Sequence, residues 1–153
     1  MALFSFLNKK EFFSPEEKQR IIDAIRESEQ RTSGEIRIYL ESRCRFVDPL
    51  DRAAEVFWGL KMEQTHFHNA VLIYVAVRDH QYAIYADQGI HEKLGDQFWK
   101  EEVGAMQKHF KENHVAEAIE QVIRDVGRAL HQHFPYDRGT DKNELPDDIV
   151  FGR

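Results

Sequence analysis

Residues 69–87 read NAVLIYVAVRDHQYAIYAD. Residues 70–77 are eight consecutive apolar positions, and Val71, Ile73, Val75 and Val77 among them are β-branched. A run of that length and composition predicts a strand covered on both faces, the middle of a sheet. Arg78, Asp79 and His80 form a short polar break, after which residues 81–87 resume as a second strand. The short break predicts that the two pair as an antiparallel hairpin.

Upstream, residues 35–41 read EIRIYLE, with Ile36, Ile38 and Leu40 on one face and Glu35, Arg37, Tyr39 and Glu41 on the other. Period two predicts a strand with one face buried and one partly wet. Asp48 and Pro49 restart the chain as a helix in which Ala53, Ala54, Val56, Phe57 and Leu60 recur at helical spacing up to about Glu63. A strand-helix-strand crossover of this kind makes the flanking strands parallel and right-handed. Before it, Ser14, Pro15 and Glu17 carry the signature of a capping box, opening a helix to about Gln30 with Ile21, Ile22 and Ile25 on its apolar stripe. Downstream, Asp96 is read as the cap of a third helix carrying Trp99, Val103, Met106 and Phe110. A fourth carries Val115, Ile119, Val122, Val126 and Leu130. The predicted fold is α/β, a three-layer helix-sheet-helix sandwich with a small mixed β-sheet. Its expected organisation is an N-terminal segment over 1–13, a domain over 14–134 and a polar C-terminal tail over 135–153, anchored by Ile149, Val150 and Phe151.

Composition narrows the partners. The 153 residues are 42% hydrophobic, enough for one domain with a real core. Twenty-seven acidic against 21 basic residues give a formal charge of −6, which argues against nucleic acid. The single cysteine, Cys44, forms no internal disulfide, and a reducing, cytoplasmic location is expected. No apolar run is long enough to cross a bilayer. Residues 1–7 are apolar but lack a preceding basic region and a cleavage site, so no signal peptide is read; contact with a lipid surface stays open beside the plainer reading of a terminal flap.

Topology locates a site. The starts of the first two strands and the finish of the third fall at one end of the sheet, bringing together Thr32, Ser33, Glu35, His68, Asn69, Asp87, Gln88 and Asp96. Three carboxylates with amide oxygens nearby form a hard-oxygen environment, suited to calcium or magnesium rather than zinc or copper. Each carboxylate also has a plainer reading, with Asp96 capping a helix, Asp87 filling a turn and Glu35 facing water. His66 with His68, and His131 with His133, are each spaced one residue apart, but either pair needs a third ligand to make a zinc site. His109 and His114 read as surface or capping residues. Arg43 and Arg45 flank Cys44, yet no partner base is assignable, and the phosphate-cradling and hydrolase motifs are missing from the chain.

RTSGEIRIY (31–39), HNAVLIYV (68–75) and YADQGIHEKLGD (85–96), in this order, resemble the TPM domain, a family named from a thylakoid lumen protein, a photosystem repair protein and a nematode receptor modulator. The resemblance covers roughly residues 14–134. Asn69, Gly89 and Asp96 match the family's Asp-Asn-Gly strand start, its glycine turn and its later aspartate; His68 and Ala70 stand where relatives often carry aspartate and glycine. The resemblance implies a helix-sheet-helix sandwich whose cleft holds calcium or magnesium in some members, with acid phosphatase activity attributed to plant relatives. Many relatives carry a signal peptide and a membrane-anchoring C-terminal segment, and this chain resembles the soluble branch. The leading expectation is a divalent cation near Glu35, Asn69, Asp87 and Asp96, with His68 and Gln88 at the rim; if the chain hydrolyses phosphate esters, the ion would polarise the phosphoryl oxygen and activate water. The alternative expectation is a non-catalytic interaction domain for a protein complex, membrane-associated, working through the cleft or the polar tail.

Overall fold

A computed structural model describes residues 13–112, 114–136 and 149–152. Its centre is β2 (Ala70–Ala76), every residue of which is buried. On one side β2 pairs in parallel with β1 (Glu35–Glu41), Glu35 opposite Ala70 and Glu41 opposite Ala76. On the other it pairs antiparallel with β3 (Gln81–Ala86), Val71 opposite Ala86. The hairpin turns through His80, whose φ of 53° lies in the left-handed region. A fourth strand, β4 (Ile149–Phe151), runs parallel to the outer edge of β1 with Ile38 opposite Ile149, giving the order β3-β2-β1-β4.

Alternate residues of β2 serve two cores. Val71, Ile73 and Val75 pack with α1 (Pro15–Glu29), α3 (Gln88–Lys111) and α4 (Val115–His133). Ala70, Leu72, Tyr74 and Ala76 pack with Ala53, Val56 and Phe57 of α2 (Pro49–Gly59). The architecture is therefore the expected three-layer sandwich, with three helices on one face and α2 on the other. Among the described residues no helix is long and apolar enough to cross a membrane.

Local chemistry sets the helix ends. Ser14 and Glu17 complete a reciprocal capping box, the Ser14 amide donating to Glu17 Oε1 at 2.9 Å and the Glu17 amide to Ser14 Oγ at 3.1 Å. Asp48 accepts from the Leu50 amide at 2.9 Å and starts α2. That helix stops at Gly59 rather than near Glu63, because Lys61 turns into the left-handed region with φ 58°. The third helix departs further from expectation. It begins at Gln88, capped by Asp87, eight residues before Asp96, and Gly95 breaks its course at φ 79° and ψ 170°. Asp96 thus opens the second of two helical segments. The two glycines in residues 88–95 dilute the helical signal, which is why the first segment was hidden in the sequence.

The second face of β1 is also drier than period two suggested. Glu35, Arg37 and Glu41 are buried on that face, and only Tyr39 is half-exposed. Buried charge requires partners. Arg52 from α2 supplies them for Glu41, its Nε and Nη2 donating to the two carboxylate oxygens at 2.9 Å each, while the Tyr74 hydroxyl donates to the same group. Burial, and then the bond to Glu41, raise the Tyr74 hydroxyl far above its ordinary pKa.

Ile73 is fully enclosed, so Ile73→Ala is expected to lose about 2–5 kcal/mol of unfolding free energy in urea titration. A second carboxyl gives a pH signature. Burial first, and Asp125 beside it second, push Glu102 from its ordinary 4.5 up to about 8. The folded chain holds a proton there that the unfolded chain releases. This contribution to stability is full below about pH 4.5, declines as pH rises, and is gone above about pH 8. Glu102→Gln stays neutral and is expected to gain about 1–2 kcal/mol over wild type near pH 9, after discounting for solvent screening, and nothing near pH 4. Urea unfolding at both pH values measures the difference.

Candidate functional site

The strand register assembles one end of the sheet. The Glu35 amide donates to the Asn69 carbonyl at 3.4 Å and the Asp87 amide to the Ala70 carbonyl at 2.9 Å. Glu35, Ala70 and Asp87 consequently occupy one cross-strand row, with the small Ala70 between two acids. Glu35 and Asp87 are only 4% and 6% exposed, and Asn69 is wholly buried, its Nδ2 donating to Ser33 Oγ at 3.2 Å. Among the described residues its Oδ1 is enclosed without a hydrogen-bond partner, as are Thr65 Oγ1 and one oxygen of Glu63. Three orphaned oxygens within residues 63–69 are an expensive arrangement for the protein alone.

Asp87 works in two directions. Oδ1 accepts from the Gln88 amide at 2.7 Å and so caps α3, while Oδ2 lies 3.3 Å from His68 Nδ1. His68 is exposed and adopts φ 52°, a left-handed conformation unusual for a side chain of its size. The first turn of α3 packs closely against the Phe67 and His68 carbonyls. A Cβ on Gly89 would lie 2.2 Å from the Phe67 carbonyl oxygen and 2.6 Å from that of His68, so only glycine lets the helix approach this loop. One turn along, His91 Nε2 lies 3.2 Å from Asp96 Oδ1.

These pairs line a cleft of about 540 Å³ walled by Trp58 from α2 and Trp99 from α3, with Lys100 beside them. Asp87, Asp96, His68 and Gln88 all face it, whereas Glu35 and Asn69 lie behind the sheet end, outside its lining. Asp96 is the outlying member, with its side chain 77% exposed. The arrangement offers two imidazoles each set against a carboxylate, a deep acid and apolar walls. Glu63 and His91 escaped the sequence reading. His91 stands four residues after the Asp87 cap, a spacing visible only once α3 is known to begin at Gln88. Of the paired histidines, His131 is engaged through Nδ1 with the Arg31 carbonyl at 2.8 Å, and His66 stacks edge-on against Phe67.

A family model described as the TPM domain matches residues 7–129. The chain belongs to the TPM domain family. Its fold is similar to the NMR structure of the BA42 protein from the psychrophilic bacterium Bizionia argentinensis, at 42% identity and a TM-score of 0.82, covering 91% of this chain and 94% of that one. No curated protein matches it. In this TPM domain the glycine turn at Gly89 is the steric key of the cleft. Gly89→Ala is expected to cost about 1–3 kcal/mol and to displace the His68 and Asn69 amide resonances, because the added methyl meets backbone rather than a yielding side chain.

Proposed function

We propose that this TPM domain binds a divalent cation, calcium or magnesium, at the acidic end of the cleft. Asp87 is the inner oxygen donor on the cleft wall, Asn69 and Glu35 stand behind it outside the lining, Asp96 stands at the outer rim, and His68 and Gln88 flank the opening. The observation carrying this reading is the orphaned Asn69 Oδ1, a buried amide oxygen next to an acid row. Carboxylate and amide oxygens are the donors that calcium and magnesium prefer, and the unpartnered Glu63 and Thr65 oxygens nearby extend the same donor chemistry.

Weak hydrolysis of phosphate monoesters is the activity that suits such a cleft. A bound cation supplies Lewis acidity toward the phosphate. The chain's own part is positional: Asp87 orients the His68 ring through Nδ1, leaving the other nitrogen to exchange a proton with a ligand, and the buried Trp99 excludes water from one side. A second reading, a non-catalytic interaction domain, draws support from the apolar groups around the opening. Leu50 and Trp58, which line the cleft, and Phe67 beside His68 are all exposed.

Calcium and magnesium titrations followed by amide shifts are expected to move residues 66–70 and 86–91 saturably. Asp87→Asn, which keeps a capping side chain, should weaken binding at least about tenfold. The absence of a saturable response in wild type removes the cation proposal. Hydrolysis of para-nitrophenyl phosphate that persists unchanged in Asp87→Asn assigns the activity to a different site and leaves the interaction reading.

A further inference from the structure

We infer that the turn joining α3 to α4 holds a second, chemically different metal site, formed by His109, Glu112 and His114 and suited to zinc or a similar borderline ion. Each of the three offers a ligand atom, and these atoms all lie within 4.8 Å of one another. The turn that brings them together is closed by the backbone. The amides of Glu112 and His114 both donate to the His109 carbonyl at 3.0 Å. The site lies outside the cleft lining and shares no residue with the proposed calcium or magnesium site.

Three observations favour coordination over a solvated polar turn. His109 Nδ1 is enclosed and has no hydrogen-bond partner among the described residues. His114 occupies the N-cap position of α4 yet makes no side-chain capping bond, although the first-turn amides of a helix have no intrahelical partner and would reward one. Glu112 Oε1 and His114 Nδ1 stand 3.8 Å apart. That is too long for a hydrogen bond. It is near the roughly 3.3–3.4 Å that separates two ligand atoms on a tetrahedral zinc with bonds of about 2.0–2.1 Å. Closing the remaining gap asks for side-chain adjustment in Glu112 and His114, both more than half exposed.

Donor type decides the ion. Two imidazoles and one carboxylate select zinc, nickel or copper over the hard cations, and three protein ligands leave a fourth position open to water or an external donor. The ion's charge is favoured by the carboxyl end of α3 and opposed by the amino end of α4, so the helix dipoles offset and the ligands themselves carry the affinity. Bound there, zinc ties the end of one core helix to the start of the next.

The test uses the full chain, stripped with chelator and titrated with zinc chloride by calorimetry. One equivalent is expected to bind with micromolar affinity, weakened at least tenfold in His114→Ala and in Glu112→Gln and unchanged in Asp87→Asn. His114 is exposed and makes no capping bond, so its loss leaves the fold intact, which circular dichroism verifies. Cobalt, replacing zinc, is expected to broaden amide signals around residues 109–114. Equal zinc affinity in wild type and His114→Ala, or broadening centred on His68 and His91, overturns the inference; a negative calcium titration leaves it standing, because that result concerns the other site.

Discussion

β2 must be dry on both faces, and the rest of the molecule follows from that demand. All seven of its residues are buried, four toward α2 and three toward the other helices. A strand of this kind is stable only with neighbours on both edges and a helical layer above and below. The parallel register with β1 and the antiparallel hairpin with β3 supply the edges. The layers use different chemistry. The face under α1, α3 and α4 is apolar throughout, whereas β1 turns acids toward α2 at both its ends.

That asymmetry explains where the cleft arises. At the carboxyl end of β1, Glu41 is answered by Arg52 and Tyr74, and its charge is absorbed into the structure. At the amino end, the row Glu35, Ala70, Asp87 is joined by Asn69 with an unmet oxygen. At that end Asp87 is engaged by Gln88 and His68, and among the described residues the Asn69 Oδ1 is the oxygen of this group left without a hydrogen bond.

Much of the fold could be read from periodicity alone. The bounds of β1 match the EIRIYLE alternation, and those of β2 and β3 lie within a residue of the expected limits. The start of α3 was hidden because Gly89 and Gly95 lower the local helical signal for reasons that lie elsewhere in the fold: a close approach to the 67–68 carbonyls in one case, a change of direction in the other. β4 has three residues, too few for alternation to register. Topology alone was enough to name the end of the sheet that collects Glu35, Asn69 and Asp87. The pairings of His68 with Asp87 and of His91 with Asp96 depend on a left-handed backbone angle and on the true start of α3, and neither is written in residue spacing.

β4 adds only three residues to the sheet, yet it lies along the flank of β1 that would otherwise present bare backbone donors and acceptors to solvent. Its partners Ile38 and Ile149 are separated by more than a hundred positions, so this flank closes only after a large loop has been paid for in entropy. A chain that has built its first three strands but not yet recruited the last carries a sticky margin along β1, and self-association during refolding should concentrate there.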